Sequence, residues 1–125
     1  MTSRVIAGLA AILGILSIAD LGSASLQGRT PPWAKGVTVT TVLENDRVRV
    51  SRVVFEPGGQ EALHTHDYDL LTISLAAGRL EVASGGSTSV VELAPGEAGW
   101  VPKGAPHGAR NPGEGRLEVI TVALK

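Results

Sequence analysis

Histidine is the residue type of this chain whose spacing most directly suggests chemistry. Three occur, His64, His66 and His107, and the first two are separated by one residue. On a strand, residues i and i+2 point to the same face, so one short strand can present both imidazoles to one cavity. Imidazole suits iron, zinc, copper, nickel and manganese centres. A third ligand must come from another strand, and His107 is the only histidine left to provide it. The expected cofactor is one divalent metal ion, with Fe, Zn, Mn, Ni and Cu not distinguished by three histidines.

The elements that must carry these side chains read as strands. Glycine and proline, 16 and 7 residues, punctuate the chain at short intervals, and strand formers fill the spaces between them. Residues 37–43 alternate valine, leucine and threonine, and Glu44-Asn45-Asp46 reads as a turn. Residues 48–55 follow, and Pro57-Gly58-Gly59 is expected to break that strand. Further strands are expected at 70–75, 79–83, 89–93, 99–101, 108–111 and 117–124. Ser84-Gly85-Gly86-Ser87 has the composition of a hairpin loop. No window after the leader carries helical periodicity. Many short strands at regular spacing imply a sandwich or barrel, and a jelly roll is one such solution.

Gly58, His64 and His66 resemble the first half of the first cupin motif, glycine, five residues, then His-x-His. Gly96, Pro102, Gly104, His107 and Asn111 match the second cupin motif at every position. Together they span Gly58 to Asn111. The resemblance implies an all-β, cupin-type jelly-roll barrel of one domain, with His64, His66 and His107 as the metal ligands. It also suggests a homodimer.

One departure from the family pattern stands out. Cupins usually carry a glutamate ligand three or four residues after the second histidine, and those positions are Leu70 and Leu71. With the family's glycine placed at Gly78, the vacant position is Leu71. The site then resembles the three-histidine cupins, some of which are iron-dependent dioxygenases of diketone-like substrates. Asp69 is the candidate replacement ligand. By strict alternation, however, Asp67 and Asp69 face away from the histidines, and a bulge would be needed to reverse that. Tyr68 and Trp100 are candidate pocket-lining residues, with core packing as the alternative. Asn111 is expected to brace its loop. Arg52, Lys103 and Arg110 read as solvated cations, and Glu56 and Glu61 as surface residues. No specific catalytic residue is identified.

The N-terminus has a different character. Arg4, the apolar run from Val5 to Ala19 and the small residues from Gly22 to Ser25 have the layout of a cleaved secretory signal peptide. The expected organisation is a leader over 1–25, an extended lead-in over 26–36 and the barrel over 37–125. The implied location is exported, periplasmic or extracellular, with no stable membrane association after cleavage. There is no cysteine, so disulfides cannot help stability. A net charge of −1 gives no electrostatic footprint for nucleic acid. The expected partner is a small-molecule ligand or substrate. The expected function is a metal-dependent dioxygenase or isomerase of a small oxygen-rich substrate, and the alternative is a non-catalytic barrel that binds a sugar or organic acid.

Overall fold

The computed structural model describes residues 27–125. The leader expected over 1–25 lies outside the described residues. Among these, no helix is long and apolar enough to cross a membrane. Eight strands form: β1 (Ala34–Glu44), β2 (Val48–His64), β3 (Asp69–Ser74), β4 (Gly78–Ser84), β5 (Ser87–Leu93), β6 (Ala98–Val101), β7 (His107–Arg110) and β8 (Leu117–Leu124). Every pairing is antiparallel. The fold is all-β and jelly-roll in type, as the strand signals imply. The hairpin loop at Ser84–Ser87 joins β4 to β5 in register, Ser84 opposite Ser87.

The strand order is β5-β4-β7-β2-β8-β3-β6, with β1 paired to β2 off this path. Strand β2 is the hinge of that order. Its first half, Val48 to Phe55, pairs with β8, and its second half, Gln60 to His64, pairs with β7. One wall of the curled sheet is therefore β2-β8-β3-β6 and the other is β2-β7-β4-β5.

The expected break at Pro57-Gly58-Gly59 is not a break. Strand β2 runs through it for 17 residues. The reason is positional: the prolyl nitrogen cannot donate to a ladder, and Pro57 sits where β2 changes partner and no ladder bond is due. Gly58 there adopts a φ of 75°, a left-handed conformation that glycine takes without steric strain. Its N–H donates to Asn111 O at 2.9 Å, and Asn111 N–H donates to Gly59 O at 2.9 Å. The strand turns a corner and continues.

The core lies against this corner. Val37, Val53, Phe55, Ala109 and Leu117 form it, with Val39, Leu80 and Leu93 packed on its edge. Asn111 is the largest polar side chain sealed within it, at 1% exposure. Its Nδ2 donates to Gly115 O at 2.7 Å and to Phe55 O and Glu56 O at 3.3 Å each. Its Oδ1 accepts from Gly113 N–H at 3.0 Å. One side chain thus ties the corner of β2 to the turn before β8. Truncating it leaves buried carbonyls without donors, which costs about 1–3 kcal/mol per orphaned group. Asn111→Ala is expected to lower unfolding free energy by about 2–4 kcal/mol, measured by urea denaturation followed by circular dichroism.

Candidate metal centre

The three histidines come together, by a route that strand alternation alone does not supply. His64 ends β2 and lies directly opposite His107, the first residue of β7. The β2–β7 ladder slips between Glu61 and His64: two residues of β2, Ala62 and Leu63, oppose one of β7, Gly108. This bulge reverses the parity of the strand. Glu61 and His64 consequently both face the cavity, while Ala62 and Leu63 are exposed. A Cβ on Gly108 would lie 2.8 Å from Glu61 O and 3.3 Å from the Ala62 carbonyl carbon. The residue facing the bulge therefore has to be glycine.

His66 lies beyond the end of β2, not on the strand, yet it points the same way as His64. The Pro102–His107 loop is fastened to it. Gly104 N–H donates to His66 O at 2.9 Å, and Lys103 N–H donates to Asp69 Oδ1 at 2.8 Å. The two segments that carry the histidines thus hold each other in place.

The ring nitrogens converge. His64 Nε2 is 3.0 Å from His66 Nε2, which is 2.9 Å from His107 Nε2. These three residues are grouped as able to hold a metal ion, their donor atoms all within 4.8 Å of one another. With metal–nitrogen bonds of about 2.1 Å, cis nitrogens on an octahedral ion are about 3.0 Å apart, and those on a tetrahedral ion about 3.4 Å. Both short separations match the octahedral spacing. His64 Nδ1 is 2.8 Å from Ala62 O. A proton on Nδ1 donates there and leaves Nε2 bare, the outer hydrogen bond that fixes a ligating imidazole. Trp33 stacks on the same ring, centroids 5.0 Å apart and planes 21° from parallel.

Two of the rings, those of His66 and His107, are also kept neutral. Burial, then the neighbouring His64 and His66, push the His107 imidazole down to about 4. Burial first and His64 second lower that of His66, against an opposing pull from Asp67. Neutral imidazole is the form that coordinates a metal. The donor set therefore fits a divalent ion.

The position of the missing glutamate is corrected by the structure. Leu70, Thr72 and Ser74 line the cavity and Leu71 does not. Leu70, not Leu71, stands at the inward position of β3. Asp69 is no substitute, since its carboxylate is turned to the backbone of Lys103. Tyr68 and Trp100 both lie on the cavity wall, and Trp100 remains 54% exposed. Arg52 and Arg110 are engaged outside, by Glu118 and Glu81.

Glu61 is the functional candidate that the sequence reading missed. It is not a surface residue: its side chain lines the cavity of about 530 Å³ that also holds the histidines. Burial raises its carboxyl above the ordinary carboxylate value, only partly offset by His64. A carboxyl whose neutral form is favoured in this way is a candidate proton donor or acceptor. Alternation runs inward from Ser51, Val53 and Phe55 to Glu61, and that parity was the sequence signal that could have found it.

A curled all-β jelly roll with imidazoles converging inside it defines a class, the small barrels built around a histidine site. The model of the cupin domain matches residues 51–123, and the chain belongs to that family. A cupin domain from Bordetella pertussis is 26% identical over 78% of this chain and 99% of its own, with a TM-score of 0.66. The polyketide cyclase RemF from Streptomyces resistomycificus is 24% identical over 81% of this chain and 75% of its own, with a TM-score of 0.66. A predicted oxalate decarboxylase from Thermotoga maritima is 20% identical over 79% of this chain and 91% of its own, with a TM-score of 0.64. No curated protein matches the sequence.

Two pH effects follow for the metal-free protein. His107 has a folded value of about 4 against an ordinary 6.5, so between those values the unfolded chain binds more protons. Stability contributed by neutral His107 is complete above about 6.5 and is lost as pH falls towards about 4. With a chelator present, the unfolding midpoint should drop across that window, and His107→Gln should reduce the drop. Glu61 has the opposite sign. Its folded value is raised, so its contribution is present at low pH and fades as pH rises through that value. Glu61→Gln is expected to gain stability over the parent as pH rises from 4 to 8. Denaturant titrations at several pH values read both effects.

Proposed function

We propose that this protein binds one divalent metal ion through Nε2 of His64, His66 and His107 and holds a small oxygen-rich substrate beside it. The observation that carries this reading is the set of three converging imidazole nitrogens, His66 Nε2 lying 3.0 and 2.9 Å from those of His64 and His107, opening on a cavity. A bound ion would act as a Lewis acid with open positions, made stronger by the absence of a carboxylate ligand. Of the chain's own groups, Ala62 O orients His64, Leu70 keeps the wall beside the site apolar, and Glu61 can accept or release a proton.

An acid–base group inside the cavity favours catalysis over passive binding. The reaction class we infer is metal-dependent oxygenation or isomerisation, without a commitment to one substrate. The leader-like N-terminus supports action after export, in the periplasm or outside the cell.

Elemental mass spectrometry on untagged protein tests the centre. About one equivalent of metal is expected, and the His64→Ala/His107→Ala double variant should lose it. No metal, even after reconstitution with iron, manganese, nickel, zinc and copper, would sink this reading and leave a ligand-binding barrel as the better account.

A further inference from the structure

The wall opposite β7 carries a feature that the metal centre does not use. Ser51 on β2 lies directly across from Thr121 on β8. Thr121 lies directly across from Thr72 on β3. Thr72 lies across from Gly99 on β6. All four residues line the cavity. Three hydroxyl-bearing side chains therefore form one continuous row across the wall. The rows on either side are largely apolar: Leu70 and Ala123 on one side, Val53 and Val119 on the other.

Hydroxyls in an apolar barrel need partners. Ser74, one row deeper, meets that need within the chain, donating to Ala76 O at 2.9 Å. Among the described residues, the side chains of Ser51, Thr72 and Thr121 have no such partner. Ser51 is 95% buried, at 5% exposure, and among the described residues no unpaired side-chain polar atom is sealed off. Its hydroxyl accordingly opens to the cavity. Gly99 makes room for the row: a Cβ there would lie 2.7 Å from Thr72 Oγ1.

The charges around the row select among ligands. Glu61, Asp67 and Glu97 line the cavity together with Arg29 and Arg49, so its carboxyl groups outnumber its cations and it does not select for an anion. Arg49, in the adjacent row, is paired with Glu44. A hydroxyl both donates and accepts, so the chemistry that matches the row is another hydroxyl. A cavity of about 530 Å³ lies within the range of small-molecule sites.

We propose that Ser51, Thr121 and Thr72 form a rung that binds the oxygens of a neutral, hydroxyl-rich ligand of about monosaccharide size. This deepens the functional reading above by naming a ligand class, and it rests on the same cavity. The metal centre would hold one end of the ligand and the rung would fix the other.

The test uses chelator-treated protein, so that it reads the rung without the ion. myo-Inositol is titrated against cyclohexanol, the same carbon ring with one hydroxyl, and the backbone amide signals of residues 51, 72 and 121 are followed by NMR. The parent should bind myo-inositol more tightly than cyclohexanol, with shifts at all three amides. Thr72→Val/Thr121→Val keeps the side-chain shape and removes two hydroxyls. It should weaken myo-inositol binding about tenfold or more, leave cyclohexanol binding unchanged or tighter, and leave the unfolding midpoint unchanged or higher. Thr72→Ser/Thr121→Ser, which restores the hydroxyls, should recover binding. The proposal is overturned if the parent shows no preference for myo-inositol. It is equally overturned if the valine variant binds as the parent does while its unfolding midpoint falls, since the hydroxyls would then brace the sheet. Neither result depends on metal uptake, so failure here is separable from failure of the metal centre.

Discussion

Strand β2 is hydrogen-bonded to three neighbours, and the site depends on how it serves them all. One residue row cannot belong to two walls unless the strand changes partner. It does so at Pro57-Gly58-Gly59, where β8 gives way to β7. Proline removes a donor where no ladder bond is due, and Gly58 permits the turn. Asn111 then closes the corner with hydrogen bonds to both sides of it. Beyond the corner, the bulge before His64 changes which side chains face inward. Without it, His64 would point to solvent and no imidazole on β2 would oppose His107 inside the barrel.

The histidine cluster is a tension that the surrounding fold maintains. A neutral imidazole has one donor and one acceptor. His66 Nε2 lies within 3.0 Å of the nitrogens of both His64 and His107, and one proton on it can satisfy only one of them. A proton on His64 Nδ1 is already directed to Ala62 O. Adding protons is opposed by burial and mutual repulsion, as the lowered His66 and His107 values show. A divalent cation resolves the conflict, because it accepts all three lone pairs at once. The arrangement makes sense as a preformed site, held open by the β2 bulge, Gly108 and the pinned 102–107 loop.

Much of this was legible in the sequence, for reasons that can be named. The strands at 117–124 and 70–75 declare themselves through apolar and β-branched runs, and the hairpin at 84–87 through its glycines. The histidines were legible because they are few and because His-x-His has the period of a strand. What was not legible involved changes of partner and of register. Alternation is a local rule; the corner exchanges β8 for β7 and the bulge before His64 shifts the parity, both through strands far away in sequence. The corner is why Pro57-Gly58-Gly59 read as a break, and the vacant ligand position fell on Leu71 because it was placed from Gly78, where the alternation of His64, His66 and Tyr68 points to Leu70. The hydroxyl row was hidden for a related reason. Ser51, Thr72 and Thr121 become neighbours only when three strands pair in one register.

The exchange of a carboxylate for Leu70 changes the balance of charge in the whole cavity. A glutamate ligand would neutralise part of the ion's charge from within its first coordination shell. With leucine there, that compensation must come from a ligand or from further away. Glu61 is a carboxyl placed to offer it: it faces the same cavity, feels His64 and stands outside the group of converging donors. A carboxyl held at that remove does not occupy a coordination position. It can exchange a proton with whatever molecule does, which a ligating carboxylate cannot do as freely. In this cavity the acidic group stands on β2 while the inward position of β3 is apolar, so charge compensation and coordination of a bound ion would fall to different residues.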